Sequence, residues 1–318
     1  MFDRFYPTMS WSEHQPHWPQ AQHSQFVKAG GIQWHVQSCG QGPGLLLLHG
    51  TGSGSFSWRG LMPLLSPYFQ VVAPDLPGHA FTDRGSRQGQ AQPKAKTQPQ
   101  LQPQLQLQPL SLSLDGMTEG VRALLLQLNW QPQVIVGHSA GAAIAANLVL
   151  KQRLHAVHLI GLNPAWLPLP GVAPWVFKPL AKLAALNPLS AWTTAKLSAQ
   201  PEVMAKLIKQ TGSQIDAEGL ALYKKVFSHS GHVHSVLQMM EAWNLNPLAN
   251  AISSLKNRTT LLVGSNDKTV PPKLADEFCR RVQQAELMVQ SGLGHLAHEE
   301  DPVGTATLLL RALALGRL

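Results

Sequence analysis

Val134-Ile135-Val136-Gly137-His138-Ser139-Ala140-Gly141-Ala142-Ala143-Ile144 is an apolar, β-branched run that passes through a tight turn into an Ala-, Ile- and Leu-rich helix. Its centre reads G-x-S-x-G, and the strand-turn-helix context separates this pattern from a chance match. Gly137 and Gly141 leave room where a side chain would collide with neighbouring backbone. Ser139 then stands at a helix N-terminus, where free N–H groups and the helix dipole favour developing negative charge.

Outward from this stretch, strands and helices alternate. Residues 25–28 and 32–37 predict two strands around Gly30-Gly31, a hairpin signal. Leu45-Leu46-Leu47-Leu48 predicts a buried strand, 56–65 a helix, 69–73 a strand and 117–128 a helix. Residues 157–161, 259–264 and 286–289 read as further strands, with helices near 274–282 and 302–315. This rhythm implies an α/β protein with a mostly parallel sheet covered on both faces. Residues 1–163 and 255–318 form its core, and 164–254, punctuated by prolines and without strand patterning, form an inserted helical cap. Gln, Pro and Leu dominate 84–110, which reads as a flexible, low-complexity surface insertion without chemistry.

A serine hydroxyl needs a base to take its proton and a third group to orient that base. In such a sheet both come from loops at the C-terminal ends of later strands. Asp267 follows the 261–263 strand, and His295 lies in Gly292-Leu293-Gly294-His295-Leu296-Ala297-His298 after the last strand. The chain order is Ser, Asp, His. His298 is the rival base and Asn163 occupies the rival acid position, but an amide does not stabilise an imidazolium as a carboxylate does. The oxyanion needs two preplaced donors, assigned to the backbone N–H groups of Ala140 and of Thr51 in His49-Gly50-Thr51-Gly52.

These motifs, with Asp75-Leu76-Pro77-Gly78-His79, resemble the α/β-hydrolase superfamily. The implied fold is a mostly parallel central sheet with helices on both faces and an inserted helical cap. Ala80 stands where that superfamily usually has a second Gly. More narrowly, Val27-Lys28-Ala29-Gly30-Gly31-Ile32-Gln33-Trp34-His35-Val36-Gln37, His49-Gly50-Thr51-Gly52, Gly161-Leu162-Asn163-Pro164, Leu167-Pro168-Leu169-Pro170-Gly171, Leu186-Asn187-Pro188-Leu189 and His295-Leu296-Ala297-His298-Glu299-Glu300 are similar to the magnesium chelatase accessory proteins of bacteriochlorophyll biosynthesis, the BchO family. That resemblance implies a pathway and an association with magnesium chelatase rather than a demonstrated reaction. It leaves two roles open: a serine hydrolase acting on a hydrophobic ester-like substrate, or a tetrapyrrole carrier or assembly factor.

The cap is expected to set specificity. Trp166, Trp175, Phe177 and Met240, with His49 of the core, are the candidate substrate-binding residues, and Lys178 and Lys182 sit four apart. Such a wall suits a small hydrophobic molecule, a porphyrin with peripheral carboxylates being one fit. The same residues would also serve to pack the cap, or to touch a membrane surface. His229, His232 and His234 lack a neighbouring carboxylate or cysteine, so no metal and no cofactor is expected, although one of them could ligate a magnesium porphyrin.

The 318-residue composition bounds the rest. Hydrophobic residues make up 44% and charged ones 13%, enough for a sizeable core, and the formal net charge of +8 favours anionic surfaces or acidic substrates. No basic run interleaved with aromatics appears, so nucleic acid is not an expected partner. Two isolated cysteines, Cys39 and Cys279, and the lack of a signal segment predict a cytoplasmic protein, with peripheral membrane contact through the cap as an option.

Overall fold

The computed structural model describes residues 6, 9–84, 111–151, 158–168, 192–196 and 200–314. The insertion at 85–110, and Trp175, Phe177, Lys178 and Lys182 of the cap, lie outside the described residues.

Eight strands make one sheet: β1 (Ser24–Ala29), β2 (Ile32–Cys39), β3 (Gly44–Leu48), β4 (Gln70–Pro74), β5 (Val134–His138), β6 (His158–Leu162), β7 (Arg258–Gly264) and β8 (Ala285–Gln290). Their order is β1-β2-β4-β3-β5-β6-β7-β8. The β1–β2 hairpin pairs antiparallel to β4, and all pairs from β4 onward are parallel. The period-2 geometry of a strand divides the core in two. Leu46, Leu48, Ile135, Leu159 and Leu261 face one apolar layer, where α1 (Leu114–Gln127), α2 (Ala140–Leu150) and, later in the chain, Phe278 pack. Leu45, Leu47, Val136, Ile160 and Leu262 face the other, closed by Trp58, Met62 and the C-terminal helix carrying Leu309 and Leu313.

Each helix has a local cause. Met117, Val121, Leu124 and Leu125 put a buried stripe on α1, and the Ser113 hydroxyl caps it by accepting from Gly116 N at 3.2 Å. The described residues of α2 are buried all round except Leu150, because it is wedged between strand ends and α1 rather than laid on the surface. The helix expected over 56–65 is instead a 3-10 turn, Ser55–Trp58, and a separate turn, Met62–Leu65. Gly60 lies between them against Pro302, and Pro63 lacks the N–H that a helix interior needs, so a helix can only restart there.

Between β6 and β7 the described residues hold helices and no strand: α3 (Pro201–Gln210), α4 (Ala217–Phe227), α5 (Ser230–Ala242) and α6 (Asn246–Ala251), here called the cap. The chain closes with α7 (Lys273–Arg281) and α8 (Pro302–Ala314). No helix among the described residues is long and apolar enough to cross a membrane.

Candidate active site

Ser139 joins β5 to α2 with φ +51° and ψ −116°, a conformation that non-glycine residues rarely adopt and that costs about 1–3 kcal/mol. Surrounding bonds hold it there: its N–H donates to Leu162 O at 3.1 Å, and its carbonyl accepts from Ala165 N at 3.2 Å. The turn can be this sharp because its flanks are bare. A Cβ on Gly141 would fall 2.5 Å from His49 O. The same tight fit brings the 49–52 loop against the elbow, with a Cβ on Gly50 falling 3.2 Å from that of Ser139. Neither the Thr51 N–H nor the Ala140 N–H donates to a protein acceptor among the described residues.

His295 Nδ1 lies 2.8 Å from Asp267 Oδ2, with both residues buried. Each carboxylate oxygen of Asp267 takes two donors: Thr269 N (2.7 Å) and Val270 N (2.9 Å) on Oδ1, His295 Nδ1 and Asn163 Nδ2 (2.6 Å) on Oδ2. Asn163 is therefore not an acid but the clamp on one. It also donates to Gly294 O at 3.2 Å, tying the His295 loop to β6. Its sequence signal was a polar residue directly after a buried strand, which does not distinguish a reacting group from a support.

Asp267 meets His295 rather than His298. The His298 ring is buried against His138 and Trp58 at 4.5 and 4.8 Å between centroids, and neither of its nitrogens has a partner among the described residues. Burial first, then the nearby His295 ring and the Arg59 guanidinium, push its pKa down to about 3 and keep it neutral. His138 Nε2 donates to His295 O at 2.9 Å, so the residue before Ser139 anchors the backbone of His295. No hydrogen bond joins Ser139 Oγ to His295. The two loops are adjacent, with the His138 and His295 rings 4.7 Å apart between centroids.

The cap reaches this centre through the turn after α3. Thr211 O accepts from Lys268 N (3.1 Å) and from His295 N (3.3 Å), and Ser213 Oγ accepts from Leu296 N at 2.8 Å. One cap turn thus staples the Asp267 loop to the His295 loop.

Two candidate pocket residues are corrected. His49 is fully buried, its Nδ1 bonded to Gly50 O and its Nε2 accepting from Leu76 N, both at 2.8 Å. Its ring pins the 49–52 loop to the loop after β4 and does not line a pocket. Trp166, 1% exposed, donates its Nε1 to Ala142 O at 2.7 Å and packs on Phe278, so it is core. Met240 is 39% exposed, whereas buried Met239 is the one that meets Thr51. His232 accepts from Ala80 N at 3.1 Å and contacts Gly52 O at 3.3 Å, which engages both ring nitrogens with backbone and leaves none for a metal. His234 stacks on Tyr6 at 3.9 Å.

Asp75 is a support that sequence reading placed only as a motif. Its Oδ1 accepts from Ser55 N (2.6 Å), and its Oδ2 from His35 Nδ1 (2.8 Å) and Phe81 N (3.2 Å). Burial alone would raise its pKa, but His35, His49 and the Ser55 N–H hold it down to about 2. The folded pKa lies below the usual 3.8, so this stabilisation is present above that value and is lost as pH falls toward about 2. Asp75→Ala leaves the His35 ring and two N–H groups buried without an acceptor. It is expected to cost about 3–5 kcal/mol in urea unfolding at neutral pH. A loss below about 1 kcal/mol would show that the network is dispensable.

The Alpha/beta hydrolase family profile matches residues 45–308. The chain is 33% identical over 295 residues to the "Magnesium-chelatase 30 kDa subunit" of Rhodobacter capsulatus, covering 92% of this chain and 95% of that protein. Among solved structures, an alpha/beta hydrolase fold protein from Burkholderia ambifaria superposes with TM-score 0.71 at 16% identity, covering 96% of this chain and 99% of that one. A meta-cleavage product hydrolase from Pseudomonas fluorescens IP01 gives TM-score 0.68 at 19% identity, with 92% and 98% covered.

Proposed function

The chain belongs to the alpha/beta hydrolase family, and on that premise we propose that it is a serine hydrolase acting on a hydrophobic ester-like substrate. The observation that carries this reading is the Asp267–His295 pair at 2.8 Å beside a serine held at φ +51°. Asp267 accepts from His295 Nδ1–H and so selects the tautomer whose Nε2 carries a lone pair. As substrate seats, Nε2 takes the proton of Ser139 while Oγ attacks the acyl carbon. The N–H groups of Thr51 and Ala140 receive the oxyanion. The proton on His295 then passes to the leaving alkoxide, and water releases the acyl group by the same steps in reverse.

The similarity to a magnesium-chelatase subunit favours a role beside that enzyme, with a tetrapyrrole-related substrate. It also favours a second reading, a non-catalytic tetrapyrrole carrier or assembly factor in which Ser139 is never activated. Contact of the cap with a membrane surface is compatible with either.

Labelling with a fluorophosphonate probe separates the two. Wild type is expected to label and Ser139→Ala to lose the label. Folded wild type that stays unlabelled overturns the hydrolase reading in favour of the carrier. A label that persists in Ser139→Ala and maps to Ser24 also counts against it, because Ser24 Oγ lies 2.9 Å from His35 Nε2 in a second Ser-His-Asp array with Asp75.

A further inference from the structure

Glu299 lies four residues past His295 and is 7% exposed, yet its carboxyl meets side chains from two distant parts of the molecule. Oε2 accepts from Arg59 Nη1 at 2.6 Å, and Oε1 meets the Tyr223 hydroxyl at 2.7 Å. Arg59 belongs to the core segment that follows the oxyanion loop. Its other nitrogen, Nη2, binds Asp216 at 2.6 Å, the residue whose side chain caps α4 by accepting from Gly219 N. Tyr223 lies in the middle of α4, and its hydroxyl also stands 3.2 Å from Ser53 Oγ. Ser53 closes the oxyanion loop, with its N–H donating to Gly50 O across Thr51. Next along the chain, Glu300 accepts from Gly294 N (2.8 Å) and from Gln214 N (3.0 Å), which fixes the base loop and the cap to the same short turn.

We propose that Glu299 is a positioning residue: through Tyr223 and Ser53 on one oxygen and Arg59 on the other, it couples the seating of cap helix α4 to the alignment of the oxyanion loop against the His295 loop. The proposal deepens the hydrolase reading and rests on its assignment of Thr51 as an oxyanion donor. It does not touch substrate.

The chain Glu299–Tyr223–Ser53 has two internally consistent directions, because a phenol hydroxyl has one proton to give. With Glu299 ionised, Tyr223 donates to it and Ser53 donates to Tyr223. With Glu299 protonated, the carboxyl donates to Tyr223, and Tyr223 donates to Ser53. The two forms present the oxyanion loop with opposite demands on the Ser53 hydroxyl. The groups facing Glu299 are Arg59 from the core and Tyr223 and Asp216 from the cap. Burial outweighs Arg59 and Tyr223 and pushes its pKa up to about 7, so the two directions exchange near neutrality.

Tyr223→Phe in the full-length chain removes only the hydroxyl and keeps the ring against Phe56 (5.0 Å between centroids). With p-nitrophenyl butyrate as probe, kcat is expected to fall about 10-fold with KM within about twofold, the signature of lost transition-state alignment rather than lost binding. Amide hydrogen exchange in residues 50–57, corrected for the intrinsic rate, is expected to rise about 10-fold while exchange in α2 stays the same. Glu299→Gln holds the group neutral, so the pH dependence of the corrected exchange around pH 7 in wild type should vanish. Should Tyr223→Phe fail to fold, Ser53→Ala breaks the same chain from the other end and is read in the same way. Unchanged exchange at 50–57 in the folded variant, or wild-type pH dependence in Glu299→Gln, overturns the proposal. Failure of wild type to hydrolyse or label overturns the hydrolase reading instead, and the exchange measurements still decide the coupling.

Discussion

Asp267→Asn is expected to lower kcat for ester hydrolysis by about 10⁴-fold while leaving the protein folded. The reason is a mismatch of donors. The wild-type carboxylate accepts from Thr269 N and Val270 N on one oxygen and from His295 and Asn163 on the other. An amide has only one oxygen to offer. If that oxygen faces Thr269 and Val270, its NH₂ points at His295 Nδ1 and forces the imidazole into the tautomer whose Nε2 already carries a proton. A base in that form accepts nothing from Ser139. If the amide turns the other way, its NH₂ meets two backbone N–H groups and the acid loop shifts. Steady-state kinetics with p-nitrophenyl butyrate, together with thermal unfolding, test this. A folded variant that loses less than about 10-fold would mean that Asp267 does not orient a working base.

Gly137→Ala carries the second large effect, this time on folding. A Cβ at that position would stand 2.5 Å from Ala142 N, and the obstacle is the backbone of α2 rather than a side chain able to turn away. The strand β5 and helix α2 are both buried and cannot part without opening the apolar layer that Ile135 and Ile144 share. The expected cost is about 4 kcal/mol or more, read as loss of soluble, cooperatively unfolding protein. Ser139→Ala, two residues on, adds no atom and is the control that keeps the fold. Equal stability of the two variants would show that the elbow is looser than its contacts indicate.

Much of this protein is legible along the chain because its causes are local. Apolar β-branched runs such as Val134-Ile135-Val136 bury on both faces and read as central strands. The Gly137 and Gly141 flanks announce the elbow, and the order Ser139, Asp267, His295 follows from which loops succeed which strands. The parallel order of strands β3 to β8 and the helices between β6 and β7 follow from the same patterning.

Other features depend on residues brought together from distant parts of the chain, and no local pattern carries them. Asn163 looked like a rival acid, and only the approach of β7 to β6 turns its amide into a clamp on Asp267. His49 and Trp166 read as pocket residues because a polar ring after a strand, or an indole in a cap, is equally suited to a cavity and to a core. The bonds His49–Leu76 and Trp166–Ala142 decide for the core. Glu299 stands in a stretch that carries a family resemblance but no role, and its meaning arises from Arg59 and Tyr223, 240 and 76 residues away. Periodicity, turn sterics and chain order act over a few residues, so the order of strands and the candidate reacting groups Ser139, Asp267 and His295 could be read along the chain. Which buried polar side chains surround those groups emerges from the folded packing alone, because a hydrogen bond in the interior is set by whichever partner packing delivers.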